Sequence, residues 1–322
     1  MNAPNPLRVA SLLPSATEIV CGLGARASLV GISHECDFPR DVEELPVLTR
    51  ARLAPVRSSQ EIDREVRHVL QNALAVYELE LDRLEAARPD VIVTQDLCDV
   101  CAVSFQDVCS AVAKLARRDV QIVNLHPTRL SDIWSDIQRV ASALDRIELG
   151  ARVIAQLRAR VGAIALRAAA ATRTPRILSI EWIAPVMIGG MWMPDLIDLA
   201  HAEPLVTRSG EHAPTLTREQ LEALDPDVVL VKPCGFDLAR TLGELPVLRA
   251  ALPWTTWRAA REGRVFVADG NAYFNRPGPR IVESLEILAA CAHPELFEDF
   301  RRAHDASVVR LAPDLTQQRF SA

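Results

Sequence analysis

Asp82-Arg83-Leu84-Glu85-Ala86-Ala87-Arg88-Pro89-Asp90-Val91-Ile92-Val93 decides the fold class. An acidic, amphipathic helix end runs into a Pro-Asp turn. A β-branched apolar run follows, as in a parallel strand buried on both faces. The same plan returns 137 residues on, in Glu219-Gln220-Leu221-Glu222-Ala223-Leu224-Asp225-Pro226-Asp227-Val228-Val229-Leu230. The repeat predicts two similar lobes, with residues 91–93 and 228–230 as equivalent central strands of separate parallel sheets.

Outward from the first copy, residues 7–13 read as a first strand. Pro14-Ser15-Ala16-Thr17-Glu18 then opens a helix, with Ser15 as N-cap and Glu18 completing a capping box. Residues 29–33 read as a second strand and 40–60 as irregular. Residues 59–87 are helical by pattern, broken near Tyr77. A helix over 105–117 and a strand over 120–125 complete a β-α-β-α-β-α-β order, which argues for a parallel sheet with helices on its faces. Between Pro127 and Pro175 there is no proline, and helix formers dominate 131–173. Residues 146–171 alone would span about 39 Å at 1.5 Å per residue, enough to bridge two lobes. Strands at 176–180, 228–231 and 265–268 and a closing helix over 277–292 repeat the plan. The expected class is α/β: two Rossmann-like lobes with mostly parallel sheets, joined by a single long linker helix. The expected domains are an N-terminal lobe (1–130), an interlobe helical segment (131–174), a C-terminal lobe (175–297) and a polar tail (298–322).

The balance of 36 basic and 42 acidic residues gives a net charge of −6. With no Lys/Arg block, nucleic-acid binding is not expected. No apolar run approaches the roughly 18 residues of a membrane helix, so no membrane insertion is expected. Seven cysteines, an odd number in a large chain, favour thiols in a reducing compartment. Residues 1–15 lack the basic, apolar and small-residue series of a secretion signal. A cytoplasmic location is therefore expected, or a periplasmic one if the start of the chain has been trimmed. Gly22-Leu23-Gly24 falls at a helix end, where a dinucleotide fingerprint would instead follow a strand. No Ser/His/Asp triad or P-loop is apparent.

Open α/β sheets hold ligands at the carboxyl ends of their strands, so candidate residues are sought there. Ser15 and Thr17 open the first helix, where a ligand anion or amide can be received. Gln95 and Asp96 end the strand that begins at Val91. His34 and Cys36, with Cys98 and Cys101, make a set of three thiols and one imidazole. Zinc or iron in a tetrahedral site is one reading of that set. A redox pair is a second, and small apolar packing a third. In the second half, Trp182, Trp192, Cys234, Tyr273 and Phe274 follow strands and suit a flat ligand wall. Cys21, Cys109 and Cys291 lie in apolar helical runs and read as core.

A family resemblance now rests on particular stretches. They are Ser11-Leu12-Leu13-Pro14-Ser15-Ala16-Thr17-Glu18-Ile19, residues 81–93 and 216–231, and Asn275-Arg276-Pro277-Gly278-Pro279-Arg280. Through them the chain resembles the substrate-binding proteins of the cobalamin and iron-siderophore ABC importers, over about residues 7–297. The resemblance implies a binding protein and not an enzyme. It implies two α/β lobes on one rigid helix, with a small-molecule ligand held between them in a largely pre-formed cleft. The implied ligand is a corrinoid (cobalamin-like) or another metal chelate, with Arg276 added to the ligand-binding residues. Asp82 and Glu219 match the acids that each lobe presents to an ABC permease. His34-Glu35-Cys36 and Cys98-x-x-Cys101 stand outside the general pattern and look like a cobalamin-binding-like subgroup. The alternative reading is a cytoplasmic metalloenzyme or redox protein using His34, Cys36, Cys98 and Cys101.

Overall fold

The computed structural model describes residues 7–51, 58–71, 77–95, 105–114 and 119–322. The chain forms two compact units. One takes Met1–Arg57, Arg64–Pro127 and Ser131–Gln156, and the other Ser58–Asp63, Thr128–Leu130 and Leu157–Ala322.

In chain order the first half holds β1 (Val9–Ser11), α1 (Pro14–Gly22), β2 (Leu29–Ile32), β3 (Thr49–Ala51), α2 (Ser59–Gln71), β4 (Tyr77–Leu79), α3 (Leu81–Ala87), β5 (Val91–Gln95), α4 (Phe105–Lys114), β6 (Gln121–Leu125) and α5 (Leu130–Ala143). The long helix α6 (Ile147–Ala168) follows. After it come β7 (Arg176–Trp182), β8 (Met187–Ile188), α7 (Met193–Leu199), β9 (Glu203–Pro204), α8 (Arg218–Glu222), β10 (Val228–Val231), α9 (Leu238–Gly243), α10 (Leu245–Ala251), α11 (Arg258–Arg261), β11 (Val265–Ala268), α12 (Ile281–Ala292), α13 (Glu298–Ala303), β12 (Val308–Leu311) and β13 (Gln317–Arg319).

The first unit contains a parallel sheet in the order β2-β1-β5-β6. The second sheet runs β13-β12-β11-β10-β7-β8, with β9 also paired to β7. Its parallel part, β9-β7-β10-β11, repeats the order of the first sheet. The two copies of the repeat thus supply β5 and β10 as central strands of separate sheets, as the sequence predicts. Leu12, Leu48, Leu84 and Ile92 share one core, and Ile180, Val229, Val231, Leu248 and Trp257 share another.

The Pro-Asp turns act alike in both units. Asp90 N–H donates to the Arg8 carbonyl at 2.7 Å, and its Oδ2 accepts from the Arg8 N–H at 2.9 Å. Asp227 N–H donates to the Arg176 carbonyl at 2.9 Å, and its Oδ2 accepts from the Arg176 N–H at 2.8 Å. Each aspartate clasps the residue that opens the neighbouring strand, so it sets the register of β5 on β1 and of β10 on β7.

The structure departs from the sequence reading at several places. Helix α1 begins at Pro14 with Leu13 as its N-cap, and no side chain caps it. Proline suits the first helical position because its missing N–H is an orphan there anyway. Ser15 is thereby drawn into the helix, and the expected capping box does not form. A capping box does form at α8, between Thr217 and Gln220. Tyr77–Leu79 is a strand rather than helix, paired antiparallel with β3, and Arg50 bridges Glu78 and Glu80 across that ladder. The helical stretch after Pro127 is two helices, parted at Asp145, which adopts a positive φ of 54°. Helix α12 starts at Ile281, four residues later than Pro277, because Gly278 precedes a proline and is steered from helical backbone. Residues 298–322 are not a polar tail: β12 pairs antiparallel with β11, and β13 antiparallel with β12, extending the second sheet.

Desolvation works to raise the Asp227 carboxyl pKa, but the Arg176 backbone hydrogen bond and the Arg258 and Arg176 charges outweigh it and hold it below 3.8. Its stabilising contribution is therefore complete above that value and is lost as pH falls through the lower folded value. Asp90→Ala and Asp227→Ala are each expected to lower stability by about 1.5–3 kcal/mol, the range for hydrogen bonds to charged groups. Urea unfolding measures this. Asp227→Asn should also flatten the acid limb of a stability–pH curve relative to the unmodified chain.

Candidate functional site

In the first sheet the chain turns to one side of β1 to make β2 and to the other to make β5. The carboxyl ends of β1 and β5 therefore flank a switch point, where open α/β sheets leave room for a ligand. Ser15 lies in the first turn of α1 and Gln95 ends β5. Ser15 Oγ and Gln95 Oε1 are buried, and neither has a hydrogen-bond partner among the described residues. A buried polar atom left unpaired costs about 1–3 kcal/mol, so both atoms would gain from a polar partner.

Thr17 is committed elsewhere. Its Oγ1 donates to Ser11 Oγ at 2.7 Å and lies 3.1 Å from the Cys36 sulfur, and all three residues are buried. Thr17 and Cys36 thus belong to an interior polar chain. Two residues before Cys36, His34 is exposed. Its Nδ1 is 2.7 Å from Thr49 Oγ1, and the same oxygen accepts the His34 N–H at 3.0 Å. Tyr77 meets the imidazole edge-on at 4.9 Å and donates its hydroxyl to Glu35 Oε1 at 2.5 Å. Desolvation of the packed side of the ring lowers the His34 pKa, with the Glu35 charge only partly opposing it. Asp96, Cys98 and Cys101 lie outside the described residues, so of the four-member cluster only His34 and Cys36 are described. Among the described residues no group of three or more His, Cys, Asp or Glu side chains is placed to hold a metal ion.

In the second sheet the same topology puts the switch point at the ends of β7 and β10, where Ile180 pairs with Val231. The next residues are Glu181 and Lys232. Lys232 is fully buried, and its Nζ donates to Glu181 Oε2 at 3.3 Å and to Asn275 Oδ1 at 3.0 Å. Asn275 in turn donates its amide to the carbonyls of Lys232 and Gly270. A Cβ at Gly270 would stand 2.1 Å from the Pro233 carbonyl oxygen, so the loops after β10 and β11 meet backbone to backbone only with glycine there.

Around this point the expected aromatic wall is only partly present. Trp192 and Phe274 are buried, and the Trp192 indole donates to the Phe274 carbonyl at 2.8 Å. Their rings are core, which corrects the reading of them as ligand-facing: both are too apolar to stay at a strand end when a pocket of the core is open to them. Trp182 is half-buried, with its indole N–H on the Ser59 carbonyl at 3.2 Å and its ring edge-on to Phe236. Tyr273 is half-buried beside His304 and Arg280. Cys234 is exposed. Arg276 is buried and donates to Asn271 Oδ1 at 3.0 Å. Asp82 and Glu219 are exposed in the first turns of α3 and α8. Sequence reasoning missed Lys232, Glu181, Asn275 and Thr49. A lysine directly after Val-Val-Leu-Val was the available signal for the first; the others pair across the fold.

The family model described as Periplasmic binding protein matches residues 9–272. The vitamin B12-binding protein of Vibrio parahaemolyticus serotype O3:K6 is 20% identical over 300 residues, which span 92% of this chain and 90% of that protein. Among solved structures, the periplasmic heme-binding protein RhuT of Roseiflexus sp. RS-1 in apo form is similar with a TM-score of 0.69 and 20% identity, covering 91% of this chain and all of that one. The periplasmic vitamin B12-binding protein BtuF of Vibrio cholerae gives a TM-score of 0.63 and 17% identity, covering 89% and 96%. These structural likenesses show the fold, two α/β lobes with parallel sheets. The family match overturns the expected cytoplasmic location, because the family is one of periplasmic binding proteins. That expectation rested on the residue types of 1–15 alone. The metalloenzyme or redox alternative finds no support in these comparisons. Among the described residues, no helix is long and apolar enough to cross a membrane.

The buried Lys232 offers a test of the second switch point. Glu181→Gln removes its only anionic partner in that pair and is expected to cost about 1–3 kcal/mol. Lys232→Met is expected to cost less, since the apolar stem is replaced and Glu181, 24% exposed, can rehydrate. Urea midpoints of the two variants give the order; the reverse order would mean that the lysine's charge is held by something other than Glu181.

Proposed function

Because the chain belongs to the periplasmic binding protein family, whose members bind and do not transform their ligands, we propose that it binds a metal-centred tetrapyrrole and hands it to an ABC permease. The cargo class is a corrinoid or another planar metal chelate. The observation that carries this reading is the pair of switch points. Each lobe brings polar side chains to the carboxyl ends of its central strands: Ser15 and Gln95 in one, Glu181 and Lys232 in the other. Polar groups at such a crevice fix the orientation of a ligand whose bulk is apolar. The relatives support the class: one is named as vitamin B12-binding, and solved structures of this fold are named as heme-binding. Trp182, Tyr273, Cys234 and Arg276 remain ligand-side candidates by their position after the second-lobe strands. The permease contacts fall to Asp82 and Glu219, exposed at equivalent places in the repeat.

Titration of the purified chain with hydroxocobalamin and with hemin tests the class. One of the two is expected to quench tryptophan emission with a dissociation constant near micromolar or tighter, on the order of −8 kcal/mol, and to be recovered unchanged. If both leave emission and melting temperature unaltered at saturating concentration, the tetrapyrrole class is wrong. Asp82→Lys with Glu219→Lys should leave ligand affinity intact while abolishing stimulation of the permease's ATP hydrolysis.

A further inference from the structure

We propose that His34 supplies its Nε2 as an axial ligand to the metal of the bound macrocycle. The inference rests on the tetrapyrrole reading above and narrows it to cargo whose metal has an exchangeable axial position.

Thr49 is buried, and its side-chain oxygen makes three contacts: it accepts the His34 backbone N–H at 3.0 Å, faces His34 Nδ1 at 2.7 Å, and donates to Ser33 Oγ at 3.1 Å. A hydroxyl has one hydrogen and two lone pairs. With the hydrogen directed at Ser33, the Thr49 oxygen can only accept from Nδ1. The neutral imidazole therefore carries its proton on Nδ1 and its lone pair on Nε2. This is the arrangement of metal-binding histidines, whose second nitrogen donates to a fixed partner that sets tautomer and ring orientation. The lone pair is also accessible: His34 is exposed, and Nε2 has no hydrogen-bond partner among the described residues. Tyr77 packs against the ring edge and is itself anchored on Glu35, so the ring is held from two directions.

Position agrees with chemistry. Ser33 and His34 directly follow β2, at the carboxyl end of the first sheet. Cys36, two residues on, is turned inward to Thr17 and is buried. The single turn thus divides its two soft donors, with the thiol in the interior polar chain and the imidazole nitrogen outside.

The test is optical. Full-length protein is titrated with hemin and, separately, with hydroxocobalamin, whose axial water is exchangeable. Binding of either should produce the visible spectrum of an imidazole-ligated metal, and the one that does so identifies iron or cobalt as the cargo metal. His34→Ala and His34→Gln should lose that spectrum and bind at least tenfold more weakly. Added free imidazole should restore the spectrum in His34→Ala. Thr49→Val should keep the imidazole spectrum with affinity reduced about tenfold, the effect of losing a metal-bound histidine's hydrogen-bond partner. If the unmodified chain binds either probe and His34→Ala gives the same spectrum and affinity, the axial-ligand inference is overturned while the tetrapyrrole reading stands. A thiolate-type spectrum that disappears in Cys98→Ser overturns it equally. If neither probe binds the unmodified chain, the tetrapyrrole reading itself fails.

Discussion

An aspartate after a proline, bonded to the residue at the start of the adjacent strand, is the interaction on which both sheets depend. Asp90 does this to Arg8 and Asp227 to Arg176, each through a backbone bond and a carboxylate bond to the same residue. A strand buried on both faces has few side-chain cues to its register along a parallel neighbour. A slip by one residue would exchange its two faces, both apolar, at little cost. A two-point clasp at the strand's start removes that freedom. Once β5 is fixed on β1 and β10 on β7, their carboxyl ends are fixed too, and those ends flank the switch points.

The two switch points use their polar groups in opposite ways. In the second sheet the buried ammonium of Lys232 is matched within the protein by Glu181 and Asn275. Burying an unpaired charge would be prohibitive, so the lysine brought its partners with it. In the first sheet Ser15 Oγ and Gln95 Oε1 stay unmatched among the described residues. Neutral groups can bear that at modest cost, and an unmatched neutral group gains most when a ligand supplies the missing bond. Among the described residues, the polar groups named at the second sheet's strand ends are paired and those named at the first sheet's are not, although the strand order is the same.

The fold was legible because its signals are local. The Pro-Asp repeat, the β-branched runs and the absence of proline from 128 to 174 are read directly from neighbours in the chain. Local rules failed where a stronger local rule or a distant partner intervened. Pro14 displaced Ser15 as the start of α1. Tyr77–Leu79 became a strand because Thr49–Ala51 offered it a ladder, a pairing no window of sequence contains. Residues 308–319 read as polar and trailing, yet Val308 and Leu311 bury one edge against β11 and complete the second sheet. The site was less legible for the same reason. Aromatic residues after strands read as a wall, but Trp192 and Phe274 are buried, and the Trp192 indole donates to the Phe274 carbonyl. The lysine at 232 stood in plain view after its strand, while Glu181 and Asn275, which make it tolerable, lie 51 and 43 residues away.

The same repeat that registers the sheets also bears the exposed acids. Asp82 and Glu219 stand in the first turns of the helices that lead into β5 and β10. In both copies the chain runs from an exposed acid through a helix end to a clasping aspartate and then to a strand that delivers polar residues to a switch point. The Asp90 and Asp227 clasps hold the strand, the strand cannot slide without breaking its ladder, and the helix packs its apolar side through Leu84 or Leu221 into the core of its own lobe. Each lobe therefore carries its acid at a fixed place relative to its own strand ends.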